Sequence, residues 1–138
     1  MVYVTRRAHF CASHRLHNPD WTAEKNAAVF GKCNNPNGHG HNYALEVTVA
    51  GPPPDDTGMV IDLKVLADII EDEVIERVDH KHLNHDVDFM KEIIPTAENI
   101  AIAFWRILVD RIREGRLHSI KLYESENNFV EYRGERES

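Results

Sequence analysis

Six residues at strict two-residue intervals, His39, His41, Tyr43, Leu45, Val47 and Val49, sit in the stretch HGHNYALEVTVA. In an extended strand, residues two apart share a face, whereas a helix scatters such a set around its axis. The period therefore predicts a strand over 39–50, with one face that is apolar at one end and carries two imidazoles at the other. Such a strand needs cover on that face, so the chain must build a sheet packed against something else.

The rest of the chain supplies both parts. Residues 2–14, VYVTRRAHFCASH, mix β-branched and aromatic residues and predict a first strand. Phe10, Ala12 and His14 share one of its faces; His9, Cys11 and Ser13 share the other. Residues 15–38 form a long polar connection containing Pro19, Gly31, Pro36 and Gly38, a loop length that is uncommon in a small domain and often functional. GPPPDDTG (51–58) is a turn, and MVID a short third extended piece. Asp62 is expected to cap a helix over 63–78 with Leu66, Ile69, Ile70 and Ile75 on its apolar side. After a second loop, 79–95, Thr96 caps a helix over 97–114 whose stripe is Ile100, Ala103, Phe104, Ile107, Leu108 and Ile112; Gly115 ends it. Two strands, 117–124 and 128–134, close as a hairpin, and the tail ERES (135–138) is read as frayed. With no internal repeat and no low-complexity segment, this order predicts one α+β domain over 1–138: a four-stranded antiparallel sheet with two helices on one face.

The 138 residues suffice for one core that buries about two-thirds of the unfolded surface. A net charge of −7 provides no general field for nucleic acid or an anionic membrane, although a local cationic cluster is still able to hold a phosphate. No apolar run is long enough to span a bilayer, and the N-terminus lacks the apolar core of a signal peptide. Two cysteines, Cys11 and Cys33, do not make a disulfide framework, so the expected location is the reducing cytoplasm.

Nine histidines are many for this length, and their placement carries the argument. If the first two strands pair as an antiparallel hairpin, His14, His39 and His41 meet at one sheet end. Three imidazoles without a fourth protein ligand are the pattern of catalytic zinc, which keeps a position open; structural sites close with four ligands. Cys33, spaced Cys-x5-His-x-His, fits either as that fourth ligand or as a thiolate base beside the metal. The spacing does not choose between them. His82 and His85 read as solvated loop histidines, and Cys11, alternating away from His14, as a packing residue.

The motifs HFCASHRL, GKCNNPNGHGHNY, MVIDL, VDHKHLN, PTAENIA and LYESENNFVEYRGE occur in the order seen in 6-pyruvoyl-tetrahydropterin synthases, and the chain resembles that family over nearly its whole length. The resemblance implies that His14, His39 and His41 hold Zn2+ and that Cys33 is the catalytic base. It implies that Asp79 and His80 form a pair working with that cysteine from a neighbouring subunit. Glu124 would anchor the pterin ring and take part in catalysis, and Thr96 would line the same pocket. It further implies the tunnelling fold, with three subunits closing their sheets into a barrel and two trimers stacking into a homohexamer. The implied substrate is 7,8-dihydroneopterin triphosphate, which loses triphosphate to give 6-pyruvoyl-tetrahydropterin. No pattern ranks Arg6, Arg7, Arg15, Lys25, Lys32, Lys64 or Lys81 as the triphosphate site.

Three rivals stand beside this reading, one of them a zinc hydrolase built on the same three histidines, for which Glu124→Gln would matter little. The 6-carboxy-tetrahydropterin synthases of the queuosine route use a similar substrate and zinc but release acetaldehyde; their commoner spacing is Cys-x3-His-x-His, against Cys-x5-His-x-His here. A zinc-binding module without catalysis would need Cys33 to complete its metal site.

Overall fold

The structure, a computed structural model, describes residues 1–135; the predicted frayed tail lies outside the described residues from 136 onward. β1 (Val2–His14) and β2 (His39–Gly51) form an antiparallel ladder running from Val2↔Gly51 to His14↔His39. β2 pairs in turn with β4 (Arg116–Tyr123), with a bulge at Thr48/Val49, and β4 with β5 (Phe129–Tyr132), both antiparallel.

The sheet has five strands rather than the four expected, in the order β3-β1-β2-β4-β5. The extra strand, β3 (Lys81–His82), runs parallel to β1 through Ala12↔Lys81 and Ser13↔His82, so the sheet is mixed. Two residues carry no readable period. They are held by their neighbours: His80 N–H donates to the Cys11 carbonyl at 2.6 Å and Leu83 N–H to that of Ser13 at 2.8 Å. The MVID segment, expected to be extended, forms a bend against the core, with Val60 and Ile61 buried.

The long connection 15–38 holds a helix, α1 (Ala23–Phe30), followed by a 3₁₀ turn, Gly31–Asn34. α1 lacks an apolar stripe to announce it. Polar bonds fix it instead: Thr22 caps it by accepting from Lys25 N–H, and the buried Asn26 side chain bonds to the Asn18 backbone in both directions. α2 (Leu63–Ile70) starts at the predicted cap, where Asp62 accepts from Lys64 N–H, and runs through a π-helical stretch, Glu71–Ile75, into α3 (Glu76–Val78). α4 (Ala97–Leu108) starts at the predicted Thr96 cap, which accepts from Asn99 N–H, and ends earlier than expected; residues 109–114 unwind towards Gly115.

One face of the sheet and the helices enclose the core. Tyr43, Leu45, Val47 and Val49 are fully buried, as their alternation demanded, against Leu66, Ile70, Ile100, Phe104 and Leu108. Phe10 stacks on Tyr43 at 4.7 Å between centroids. His14 continues the Phe10–Ala12 row and is only 1% exposed, so the core face of the sheet ends in imidazole rings.

Candidate metal centre and its clefts

The last residue of β1 and the first of β2, His14 and His39, are direct register partners, and His41 lies opposite Ala12 on the same face. The nitrogens that these three residues offer all lie within 4.8 Å of one another. Their rings stand edge to face, His14 against His41 at 86° and His39 against His41 at 84°, which lets the nitrogens converge without stacking the rings. The approach to β2 needs Gly38, at φ +76°: a Cβ there would meet His82 Nε2 at 2.9 Å and the His14 carbonyl oxygen at 3.0 Å.

His14 Nδ1–H donates to the Pro95 carbonyl at 2.7 Å, and the Tyr43 hydroxyl lies 3.4 Å from the same nitrogen. That bond fixes the tautomer and leaves the Nε2 lone pair towards His39 Nε2, 3.1 Å away. Burial, which disfavours the charged ring, holds His14 and His41 below the ordinary imidazole value near 6.5. Burial, seconded by the Glu124 carboxylate, keeps the Tyr43 phenol protonated.

His41 Nε2 is buried without a hydrogen-bond partner; Glu124 Oε1 is 3.7 Å away, too far for a bond. An orphaned buried nitrogen beside two other converging imidazoles is the arrangement that a bound metal relieves. Three imidazole donors suit several divalent transition metals, zinc among them. The residues therefore fit a metal held by three nitrogens. Among the described residues the converging donor atoms come from histidines alone, and the Cys33 thiol is not among them.

The other predicted residues surround this centre unequally. Cys33, half-buried on the 3₁₀ turn, shares a cleft of about 530 Å³ with Lys32 and His39. Glu124, just past the end of β4, has its backbone N–H on the Asn128 carbonyl and shares a cleft of about 290 Å³ with Thr96, Leu16 and Phe129. The Thr96 hydroxyl is engaged as the α4 cap. Asp79 and His80 lie elsewhere. Asp79 Oδ1 accepts from Cys11 N–H at 2.9 Å, and Oδ2 sits 3.0 Å from His80 Nδ1. The Cys11 amide, with the bond to His80 behind it, pulls the Asp79 carboxyl below the usual carboxylate range. His80 is held at φ +62° and its side chain is 79% exposed; it lines a cleft with Cys11, Asn42 and His41, and Cys33 lines a different one. Cys11, read as a packing residue, is exposed, its thiol donating to Asn42 Oδ1 at 2.8 Å.

Sequence reasoning missed the Pro95 carbonyl, since a backbone acceptor leaves no residue-type signal. It placed Tyr43 on the metal face without foreseeing its contact with His14.

A mixed-sheet α+β protein with three histidines gathered at one sheet end is the class that this architecture defines. The family model described as 6-pyruvoyl tetrahydropterin synthase matches residues 3–135, and the chain belongs to that family of pterin-synthesising enzymes. A 6-pyruvoyl tetrahydrobiopterin synthase from Homo sapiens is 45% identical over 132 residues, covering 96% of this chain and 91% of the relative. The Caenorhabditis elegans 6-pyruvoyl tetrahydropterin synthase structure superposes with a TM-score of 0.92 at 37% identity, covering 96% of this chain and 95% of that one. A 6-carboxy-5,6,7,8-tetrahydropterin synthase from Rickettsia bellii is 33% identical over 151 residues, covering 95% of this chain and 99% of the relative.

Proposed function

We propose that this chain is a zinc-dependent 6-pyruvoyl-tetrahydropterin synthase, a lyase of tetrahydrobiopterin biosynthesis that converts 7,8-dihydroneopterin triphosphate to 6-pyruvoyl-tetrahydropterin and triphosphate. The observation that carries the reading is the convergence of three imidazoles, two of them held towards the neutral form by burial, with Cys33 sharing a cleft with His39 and Glu124 3.7 Å from His41. His14, His39 and His41 would hold the ion. When bound, zinc supplies Lewis acidity that makes a neighbouring C–H more acidic and stabilises the developing oxyanion.

The chain's own groups handle the protons. Cys33, as thiolate, takes one from the substrate side chain. Glu124 accepts from the pterin amino group and ring N–H, the two-point geometry that a carboxylate suits, with Thr96 lining the same pocket. Asp79 keeps His80 oriented for proton return, as a carboxylate steadies a catalytic imidazole elsewhere. Triphosphate leaves with the electron pair of its C–O bond, so no external oxidant or reductant is required.

His80 and Cys33 line separate clefts within one copy, so on this reading the exposed His80 serves a Cys33 of another copy, and the active unit is a homo-oligomer. The short edge strand β3 and the edge strand β5 offer pairing for closing sheets into a barrel, and two such trimers give the homohexamer. No helix of the described residues is long and apolar enough to cross a membrane, and cytoplasmic action suits two free thiols.

The rival is a 6-carboxy-tetrahydropterin synthase. Identity of 45% to a pyruvoyl relative against 33% to a carboxy relative favours the pyruvoyl product. Cys33→Ala tests the roles: retained zinc with turnover lost supports the reading, whereas lost zinc makes the thiol a ligand. Acetaldehyde as the main product from dihydroneopterin triphosphate would transfer the chain to the rival activity.

A further inference from the structure

The turn that carries Cys33 is short, and its amide groups are laced onto the segment that leaves the metal centre. β1 ends at His14, and the chain continues through Arg15, Leu16 and His17. The Asn34 side-chain amide donates to the Leu16 carbonyl and to His17 Nδ1, both at 2.9 Å. The Asn34 carbonyl accepts from Arg15 Nε at 2.9 Å, and the Cys33 carbonyl accepts from Leu16 N–H at 2.8 Å. Four bonds thus join residues 33–34 to 15–17. On the other side of the same segment, Asn84 imitates a strand partner: its Oδ1 accepts from Arg15 N–H at 2.8 Å and its Nδ2 donates to the Arg15 carbonyl at 2.9 Å.

A four-residue 3₁₀ turn lacks the hydrogen bonding to hold its own place, so its position is whatever its tethers impose. On the far side it is tied to β2 by a tight turn, Gly38 N–H to the Asn35 carbonyl at 2.8 Å. Both tethers of Cys33 therefore end beside proposed metal-ligating positions: residues 15–17 follow His14, and Gly38 precedes His39.

We propose that Asn34 is a positioning residue that sets the Cys33 thiol against the three-histidine centre through its paired bonds to Leu16 and His17. Asn84 steadies the segment to which it is anchored. The inference rests on the reading of Cys33 as the catalytic base. Asn34 does not line the Cys33 cleft; it acts by holding the thiol at the separation that proton transfer requires, where an error of about 1 Å costs on the order of 100-fold in rate. A residue that only supported the turn would lower stability without separating kcat from KM.

The experiment compares Asn34→Ala with the wild-type protein in the assembled, zinc-loaded state. It measures kcat, KM, zinc per chain and, with metal removed, the iodoacetamide alkylation rate of Cys33, resolved from Cys11 by mass spectrometry. The expected result is a kcat lower by about tenfold or more with KM within about twofold, zinc unchanged, and a changed Cys33 alkylation rate. Unchanged kcat and alkylation overturn the proposal, as does equal loss of zinc and turnover. Should Asn34→Ala not fold, His17→Phe removes one acceptor and leaves the Leu16 bond. A smaller kcat loss at constant KM then supports the inference, and an unmoved kcat overturns it. Cys33→Ala in parallel keeps the two ideas apart: full turnover there defeats the base assignment itself, whatever Asn34 does.

Discussion

His14 Nε2 and His39 Nε2 face each other at 3.1 Å across the final pair of the β1–β2 ladder, each ring carried by its own strand. With Nδ1–H of His14 committed to Pro95, the remaining proton between them must sit on His39 Nε2 when no metal is present. A metal held here, as proposed, would stand in place of that proton.

Replacing His14 by Ala removes one of three donors and orphans the Pro95 carbonyl in a buried place. Removing a partner of a metal-bound histidine already costs about 10–100-fold in affinity, so losing the histidine itself should cost more. Zinc per chain, measured after dialysis against a competing chelator, should fall from near one to near zero. Retention of a full equivalent would place the metal elsewhere.

The same burial makes a pH prediction for the metal-free protein. His14, His41 and His82 have folded values below the ordinary 6.5, chiefly through desolvation. Below 6.5 the unfolded chain binds protons that the folded chain refuses, so stability must fall as pH drops through that value and is fully present above it. Asp79 acts in a lower window. Its carboxyl is depressed below the ordinary 3.8, so its contribution is present above that value and is lost as pH falls below it. Urea midpoints of chelated protein should be flat above about pH 7.5 and decline from about 6.5 downward, with a shallower decline in His14→Gln. A midpoint independent of pH between 7.5 and 5.5 would refute the neutral-imidazole account.

How legible this was in the sequence depended on the length of the pattern. β2 and the core half of its face followed from six alternating residues, and the His14–His39 meeting from the hairpin that this alternation requires. The caps at Asp62 and Thr96 were equally local. β3 was invisible because two residues have no period, and its place is dictated by Cys11 and Ser13, nearly 70 positions earlier. α1 was hidden because amide side chains, not an apolar stripe, hold it. The family motifs pointed to Cys33, Asp79, His80, Glu124 and Thr96. That Asp79 and His80 are bonded to the Cys11 backbone and line no cleft with Cys33 is a property of the β3 connection, which no spacing encodes.

Gly38→Ala tests the approach to β2. The residue sits at φ +76° with the His14 carbonyl oxygen 3.0 Å from any added Cβ, so the substitution combines left-handed strain with a clash against backbone. A loss of about 1–3 kcal/mol in unfolding free energy is expected, together with weaker zinc binding because His39 is the next residue. Wild-type zinc affinity in a destabilised protein would mean that the glycine serves the fold alone.

Glu124→Gln leaves the size of the side chain and removes its charge. Against a pterin that offers two donors, the amide can accept with one atom only, and its NH2 opposes the second donor. KM should rise by about 10–100-fold, corresponding to about 1–3 kcal/mol for an unsatisfied buried pair, while zinc content stays at the wild-type level. An unchanged KM would favour a zinc hydrolase that makes no use of this carboxylate.

The separation of His80 from the Cys33 cleft gives the sharpest test of assembly. If each site takes Cys33 from one copy and the Asp79–His80 pair from another, Cys33→Ala and His80→Ala are each inactive alone. Unfolding and refolding them together in equal amounts lets a Cys33 from the His80 variant meet a His80 from the Cys33 variant. Each condition is met half the time, so about a quarter of the interface sites carry both wild-type groups, and about a quarter of wild-type activity should return. Sites built within one chain would recover nothing, since every chain in the mixture lacks one of the two groups. Titrating the ratio of the variants should trace a maximum at equal proportions, the signature of a site shared between two copies.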